Sequence, residues 1–456
     1  MKIFSKYTAA ALLGAASLTA VAQNTYSGYF IDSYSPRHQM NPAFALDSAR
    51  NYHGYVGFPV LSNLNIGVRG NINLTDIYYN RGGETCLFTN PEIPVSTVMN
   101  NIHDINRIGA SIKLDIINFG FKAFGGWNTV GLNVVSDEEI GVPRAFFSLA
   151  KEGIANKNYD IKNMRVTSSN YAELALNHSH DLSKYLPGLR VGATVKLLLG
   201  IADFDAYFNR ANLILGEDEW LVKANADIYG SGCGMRFKSR YNDKFDRSYF
   251  DGVEMEGFEL GGFGLGFDLG AQYQWRDFTF SLALLDLGFI NWANTQHAST
   301  NGTKTFTTDA YTLAVGDNDT WDKMQDGLED LYQLDVNGDM GNYCKSLKTT
   351  LNWGVEYVLP YYRNLSFGLV NTTRFNRNFT WTDFRISANV RPVKCLALSA
   401  NLAMGTYGVG FGWLANLGVK GFNLFLGMDR TLGKLSSDGY PLSSNASVNF
   451  GINFPF

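Results

Sequence analysis

The amino-acid sequence predicts an all-β protein: a single transmembrane antiparallel β-barrel of about 14 strands, or 16 as the alternative, with long extracellular loops. Two independent observations lead to this fold class. Along most of the chain, bulky apolar residues alternate with glycine, asparagine, serine or charged residues, as strands between lipid and a polar lumen require. Short connections also alternate with long ones, which matches the periplasmic and extracellular ends of such a barrel.

The last strand shows this alternation most clearly. One of its faces is wholly apolar and the other is small or polar, and a soluble protein seldom leaves such a terminal strand exposed. We therefore expect a lipid-facing row that also serves as a C-terminal assembly signal, read by the barrel assembly machinery. The apolar row consists of Val448, Phe450, Ile452, Phe454 and Phe456.

The amino terminus has the features of a secretory signal peptide. Lys2 and Lys6 give a positive start, and residues 9–18 form an apolar core that is followed by small residues suited to cleavage. The core is too short to span a bilayer as a stable helix. The expected organisation is a signal peptide at 1–22, an N-terminal plug segment at 23–52 and an outer-membrane barrel at 53–456.

Composition excludes several other classes of protein. Glycine is abundant (47 residues), charged side chains make up only 18% of the chain, and no apolar run reaches the ~18 residues of a membrane helix. The net charge of -4 gives no reason to expect nucleic acid as a partner. No cofactor or metal is expected. The scattered cysteines fit either free thiols or one loop disulfide among Cys86, Cys233 and Cys344, with Cys395 unpaired.

Fourteen segments combine the alternation with the length of a membrane-crossing strand. They are 64–75, 108–122, 126–136, 166–179, 188–203, 263–275, 277–290, 347–358, 363–375, 380–391, 394–404, 406–418, 421–430 and the C-terminal segment. Residues 53–60 would be a fifteenth strand. A barrel whose first and last strands both end in the periplasm needs an even number of strands, so we expect residues 53–60 beside the plug. Residues 206–230 fit either a projecting hairpin or two further strands. Aromatic residues predicted at the membrane interfaces are Trp127, Tyr171, Trp275, Tyr361, Tyr362 and Trp381.

The chain contains no convincing catalytic constellation. His178-Ser179-His180 resembles the Ser-His pair of outer-membrane phospholipases, but it lies at a predicted periplasmic turn, where polar residues are ordinary. Residues 335–339 have oxygen-bearing side chains at calcium-loop spacing. However, Met340 and Ser346 stand where such a loop needs glycine and an acid. A surface loop is favoured there, with a loose calcium site as the alternative.

Several charged residues fall on the polar rows and are predicted to face the lumen. Their ordinary role is to brace the wall or a plug, and pore electrostatics is the functional alternative. These residues are Arg69, Lys113, Asp115, Asp268, Glu356, Arg374, Arg385 and Arg391, together with Lys196 and Asp429.

The tripeptide Asn41-Pro42-Ala43, ahead of a fourteen-row barrel, resembles the long-chain fatty acid transporter (FadL/TodX) superfamily. The chain looks most similar to the uncharacterised outer-membrane barrels related to that superfamily and to the secretion component PorV. The resemblance implies a Gram-negative outer-membrane barrel whose N-terminal stretch plugs the lumen, with the tripeptide as the plug motif.

Three functions are compatible with these features. The first is passive transport of a small hydrophobic molecule through a plugged barrel. The second is a structural or partner-binding barrel that presents its loops, as PorV does. The third, an outer-membrane phospholipase, has only the histidine triplet in its favour, and we expect a protein that is not an enzyme. The expected partners are outer-membrane lipid, the barrel assembly machinery and a small hydrophobic ligand.

Overall fold

The computed structural model describes most of the chain and shows an all-β protein. The described residues are 25–46, 52–81, 84–153, 157–215, 220–243, 246–257, 259–308, 330–331, 333–376, 379–431 and 445–456. The expected signal peptide, residues 1–22, and the end of the expected plug segment, residues 47–51, lie outside this part.

Fourteen antiparallel strands form the wall of a closed barrel. They are β1 (Gly54–Gly57 and Leu64–Gly70), β2 (Ile105–Ala123), β3 (Gly126–Pro143), β4 (Arg165–Asp181), β5 (Leu189–Leu215), β6 (Gly262–Trp275), β7 (Phe278–Trp292), β8 (Thr350–Val358), β9 (Leu365–Arg374), β10 (Trp381–Val393), β11 (Leu396–Gly405), β12 (Gly408–Val419), β13 (Phe422–Met428) and β14 (Ala446–Pro455). Each strand pairs with the next, which confirms the predicted count of 14.

The barrel closes where its last strand meets its first. Leu64 of β1 pairs with Phe450 of β14, and Val56 pairs with Phe454. The backbone N–H of Phe456 donates to the carbonyl of Gly54 at 2.9 Å. A strand in hydrocarbon cannot tolerate an unpaired edge, and closure leaves no such edge around the wall.

The wall strands place polar side chains inside and apolar side chains outside. In β11, Asn401 is 3% exposed while its neighbour Leu402 is 53% exposed. In β10, Ser387 is 7% exposed and Ile386 is 55% exposed. A water-soluble domain has the opposite arrangement. This surface is stable when hydrocarbon surrounds it.

The two ends of the barrel differ in their connections. At one end the strands are joined by tight turns, such as Phe124-Gly125 between β2 and β3. Both turn residues have positive φ values, 56° and 73°, so they form a type I′ turn, whose twist matches that of the two strands. Below we call this the short-turn end and the opposite one the long-loop end.

Additional secondary structure is concentrated at the long-loop end. It includes the helices α1 (Val95–Met99) and α2 (Arg144–Glu152), a 3-10 turn at Leu74–Asp76 and the strands Tyr78–Arg81, Glu84–Leu87, Lys157–Asp160, Trp220–Gly232, Met235–Asn242, Arg247–Met255, Gln296–Ser299, Lys304–Thr307, Asp335–Asp339 and Tyr343–Ser346. The long strand β5 continues out of the barrel and pairs with Trp220–Gly232. Residues 206–230 are therefore a projecting hairpin and do not raise the strand count to 16.

The segment 335–339 forms a strand and not a calcium loop. It pairs with Gln296–Ser299, and Asp335 lies 3.3 Å from the guanidinium of Arg247. Extended backbone separates the oxygens that a calcium loop would fold around one ion. The four cysteines are free, so the loop disulfide is absent.

The expectation that residues 53–60 lie beside the plug is wrong. Gly54–Gly57 pairs with both β14 and β2, and Leu64–Gly70 resumes the strand between the same two neighbours. Between them, Phe58 and Val60 are exposed at 43% and 46%. One wall strand is thus interrupted near Pro59, which cannot donate a ladder hydrogen bond.

Three of the six aromatic residues predicted at the membrane interfaces face the lumen instead. Trp127, Tyr171 and Trp381 are buried, because strand alternation places them on the inward rows. The other three, Trp275, Tyr361 and Tyr362, are exposed near the short-turn end.

No helix in the described part of the chain combines the length and the apolar character needed to cross a membrane.

A charge placed on the outer surface tests which solvent this surface meets. Leu269 is 54% exposed in the middle of β6, whereas Val409 is 75% exposed at the end of β12 beside a turn. In lipid vesicles, Leu269→Arg should lower the free energy of unfolding by about 2–4 kcal/mol and Val409→Arg by about 0–1 kcal/mol. Urea titration measures both values, and equal small effects would contradict a hydrocarbon-facing wall.

Candidate functional site: the filled lumen

The candidate site is the barrel lumen, into which residues 25–46 fold. This stretch, called the plug segment below, is mostly buried and contains two 3-10 turns, Tyr26–Gly28 and Ser35–Gln39. A buried segment without long helices or strands must find hydrogen-bond partners for its backbone N–H and C=O groups outside itself. The plug segment does so partly through the polar inward rows of the wall.

Asp429, at the end of β13, anchors the start of the plug segment. Its carboxylate accepts hydrogen bonds from the backbone N–H groups of Tyr26 (2.9 Å) and Ser27 (2.7 Å) and from the Ser27 hydroxyl (2.7 Å). Arg385 lies 3.6 Å from the same carboxylate. Charge-assisted hydrogen bonds are the stronger kind, so this end of the segment is firmly held.

The middle of the plug segment is held by neutral hydrogen bonds to asparagine side chains. The Tyr34 hydroxyl donates to Asn449 Oδ1 at 2.9 Å, and Asn453 Nδ2 donates to the Ser35 hydroxyl at 2.7 Å. The backbone carbonyl of Met40 accepts from the side chain of Asn352 at 2.9 Å. Inward asparagines thus serve as the binding surface for the segment.

The Asn41-Pro42-Ala43 tripeptide forms a tight turn against β4 to β7. Asn41 Oδ1 accepts the backbone N–H of Ala43 at 2.9 Å, and Asn41 Nδ2 donates to the carbonyl of Ala271 at 3.1 Å. The wall approaches so closely that a Cβ on Gly192 would lie 2.1 Å from the carbonyl oxygen of Pro42. Glycine is therefore required at this inward position of β5.

Aromatic side chains of the plug segment cover an apolar patch on the lumen wall. Tyr34 packs edge-on against Phe425 with ring centroids 4.9 Å apart. Other plug residues, such as Phe30 and Phe44, belong to the same buried apolar cluster. Its wall members, one from each of β9, β11, β12 and β13, are Val370, Ala397, Leu414 and Phe425.

Below the plug segment, at the short-turn end, the lumen holds a polar cavity of about 860 Å³. Asp32 lies at its boundary and pairs with Arg37 and with Arg391, the latter at 2.6 Å. Burial alone would raise the pKa of the Asp32 carboxyl, but these two guanidinium groups outweigh it and lower that pKa. Glu356 lines the same cavity and accepts from the Ser366 hydroxyl at 2.6 Å.

Above the plug segment, ion pairs cross the lumen from one wall to the other. Asp137 of β3 meets Arg374 of β9 at 2.7 Å, Lys348 at 2.9 Å and Arg69 of β1 at 3.5 Å. A second group joins Asp383 to Arg385 and Arg430. Both groups are largely buried, so they brace the wall at the long-loop end.

Of the predicted lumen charges, Asp429 anchors the plug segment, and the others lie on the inward rows and gather into three places. Arg69, Arg374 and Arg385 belong to the layer above the plug segment, Glu356 and Arg391 to the cavity below it, and Lys113, Asp115, Lys196 and Asp268 to a cluster beside it. Asp137, Glu173, Lys348, Asp383 and Arg430 join these groups although sequence reasoning did not select them. For Asp137, the signal was the polar alternation of β3, which continues beyond its predicted end at residue 136.

The triplet His178-Ser179-His180 does not assemble a hydrolytic site. The Ser179 hydroxyl faces inward and donates to the carbonyl of Ala43 at 2.8 Å. Strand alternation directs the neighbouring side chains to the other face, where His178 Nδ1 lies 2.9 Å from Asn128 Oδ1. Ser179 therefore holds the plug segment.

Together, an apolar exterior, a polar filled lumen and closure of 14 strands define a membrane-type β-barrel. Residues 42–429 match the model of a family described as "Family of unknown function (DUF5723)". The chain belongs to this family. No curated protein sequence matches it.

Several solved barrels have a similar overall path. The Ralstonia pickettii toluene transporter TbuX aligns with a TM-score of 0.42 and 8% identity, covering 92% of this chain and 93% of that one. The Pseudomonas putida toluene transporter TodX gives 0.40 and 8%, covering 93% of each. The translocator domain of the autotransporter NalP from Neisseria meningitidis gives 0.32 and 9%, covering 96% and 100%. Similarity this weak carries no argument about what the chain does.

Removing the anchor of the plug segment should loosen it without opening the wall. Asp429→Ala leaves Arg385 with one buried partner fewer, so the free energy of unfolding should fall by about 3 kcal/mol. Hydrogen exchange at the amides of Tyr26 and Ser27 should accelerate at the same time. Asn371→Ala is the matched control, because Asn371 donates within the wall, to Thr382. Unchanged exchange at both amides in Asp429→Ala would contradict the anchor.

Proposed function

We propose that the protein is an outer-membrane β-barrel that passes a small, largely apolar molecule through its lumen, with the plug segment as the gate. The membrane assignment is supported by the inside-out distribution of side chains, which a water-exposed barrel could not sustain. The expected signal peptide and C-terminal row agree with export to the outer membrane of a Gram-negative cell.

The observation that carries the transport proposal is the apolar patch under the aromatic side chains of the plug segment. A polar lumen offers little to an apolar solute. Displacing the plug segment, however, would expose Val370, Leu414 and Phe425 along one side of the passage. Most contacts of the segment are neutral hydrogen bonds, which water can replace at a net cost of only about 1 kcal/mol each. Displacing the segment breaks none of the hydrogen bonds that pair the wall strands, so the wall can stay intact.

Ion conductance tests the gate directly. Deleting residues 24–46 should raise the conductance of the purified protein in planar bilayers, because the largest obstruction in the lumen is lost. Gly192→Val should do the same by a single substitution, since its side chain would overlap the carbonyl oxygen of Pro42. Ala193→Val is the matched control, because Ala193 is exposed on the outer side of the same strand.

The transport proposal also requires solute movement. Vesicles that contain the deletion variant should take up a small apolar solute faster than vesicles with the intact protein. Unchanged conductance and uptake in both plug variants would contradict a gated passage.

A second candidate function is a barrel that presents a docking platform for another protein. Its supporting observation is the set of strands above the long-loop end, including the projecting hairpin of β5 and Trp220–Gly232. A partner that co-purifies in a one-to-one ratio, with no conductance change on plug deletion, would favour this function over transport.

Thiol labelling tests the proposed location and orientation. Cys344 is exposed at the long-loop end, and Cys395 lies at a short turn between β10 and β11. In intact cells, a membrane-impermeant maleimide should label a variant that keeps only Cys344. A variant that keeps only Cys395 should react after the outer membrane is permeabilised. The reverse pattern would invert the proposed orientation.

A further inference from the structure

Two histidines lie side by side on the outer face of the barrel wall, at the short-turn end of β4. His178 and His180 flank Ser179, whose hydroxyl faces the lumen and donates to the carbonyl of Ala43, so strand alternation places both imidazoles outside. His180 is paired with Gly126, the first residue of β3 after the turn from β2. Both histidines are partly exposed, so an ion from the surrounding water can reach them.

Glycines at this turn leave room for the two imidazole rings. A Cβ on Gly126 would lie 2.8 Å from Cε1 and 3.2 Å from Nε2 of His178, and a Cβ on Gly125 would lie 3.1 Å from Cε1 of His180. The rings therefore rest on bare backbone, with their centroids 5.5 Å apart.

The side-chain amide of Asn128 fixes the position of the proton on one imidazole. Asn128 Nδ2 donates to the carbonyl of Ala123 at 3.0 Å, which turns Oδ1 towards His178 Nδ1, 2.9 Å away. An amide oxygen only accepts hydrogen bonds, so Nδ1 carries the hydrogen and donates it. The other nitrogen of the neutral ring, Nε2, then has a free lone pair, which is the arrangement found in histidines that bind metals.

The distance between the two histidines fits a tetrahedral metal ion. His178 Nε2 lies 3.3 Å from His180 Nδ1. A tetrahedral Zn²⁺ with Zn–N bonds of ~2.0–2.1 Å holds two ligand nitrogens about 3.3–3.4 Å apart. In the square-planar geometry of Cu²⁺ or Ni²⁺, the same bond lengths give a separation of about 2.8–3.0 Å. The observed separation therefore favours Zn²⁺.

We propose that His178 Nε2 and His180 Nδ1 together bind one Zn²⁺, with water as the remaining ligands. His180 takes part as the tautomer that carries its hydrogen on Nε2. No third His, Cys, Asp or Glu joins the pair in the part of the chain that the structure describes. Asp181 lies 3.5 Å from Arg190, so the charges of these two neighbours largely cancel beside the metal. The site is independent of the transport proposal.

Equilibrium dialysis of the purified, untagged mature protein in detergent against Zn²⁺ tests the site. The native sequence should bind one Zn²⁺ per chain more than either His178→Gln or His180→Gln, because each variant lacks one of the two ligands. Glutamine keeps a polar side chain on the outer face, so both variants should fold. His103→Gln is the matched control, because His103 is exposed just before β2 at the long-loop end. It should bind as much Zn²⁺ as the native sequence.

A further variant tests the role of the Asn128 amide. Asn128→Ala should weaken Zn²⁺ binding by about 10–100-fold and leave the number of ions bound at saturation unchanged, since both ligands remain. Unchanged affinity would overturn that role. If the native sequence binds no more Zn²⁺ than His178→Gln does, the contact is only a hydrogen bond between two imidazoles and the proposal is wrong. An equal loss of Zn²⁺ in His103→Gln would also overturn it.

Discussion

The whole architecture depends on one constraint: a backbone surrounded by hydrocarbon has no partner for its N–H and C=O groups except itself. Pairing every wall strand on both sides satisfies it, and the only way to do so with a finite number of strands is closure. Once the sheet is closed and its outer row is apolar, the inner row must be polar. The lumen is therefore a polar interior that the chain has to fill.

The protein fills this interior with two kinds of contact, stacked along the barrel axis. Charged pairs such as Asp137–Arg374 span the long-loop end, neutral hydrogen bonds hold most of the plug segment, and a polar cavity lies below it. Buried ion pairs contribute little net stability, because desolvation of the charges opposes their attraction. They do fix the geometry, because removing either partner leaves the other charge buried and unpaired. The ion pairs therefore fix the arrangement of the wall at the long-loop end, whereas the plug segment below them is held mostly by neutral hydrogen bonds that water can replace, with Asp429 as its charged anchor.

Much of the fold could be predicted from the sequence because its signal is local. A period of two over ten residues, as in β10 and β12, needs no knowledge of the rest of the chain. The interrupted strand β1 is harder to predict, because Pro59 divides it into two short rows and counting them as two strands gives an odd number. The inward position of Trp127 is hard to predict because a tryptophan near a strand end also fits a membrane interface.

The site was less accessible to sequence reasoning. The tripeptide at Asn41 and the inward charges could be selected, but not their partners. Arg374 meets Asp137 across the lumen, at a sequence separation that no pattern encodes, and Asp137 lay beyond the predicted end of its strand.

The seam between β1 and β14 has a consequence for biogenesis. Gly54 bonds to Phe456, and Tyr34 to a residue 415 positions later, so neither the ring nor its filling can be completed before β14 is available. Contacts of such long range form late and slowly. Without β14 the chain would keep nearly all its hairpins, yet β1 and β13 would each have an unpaired edge.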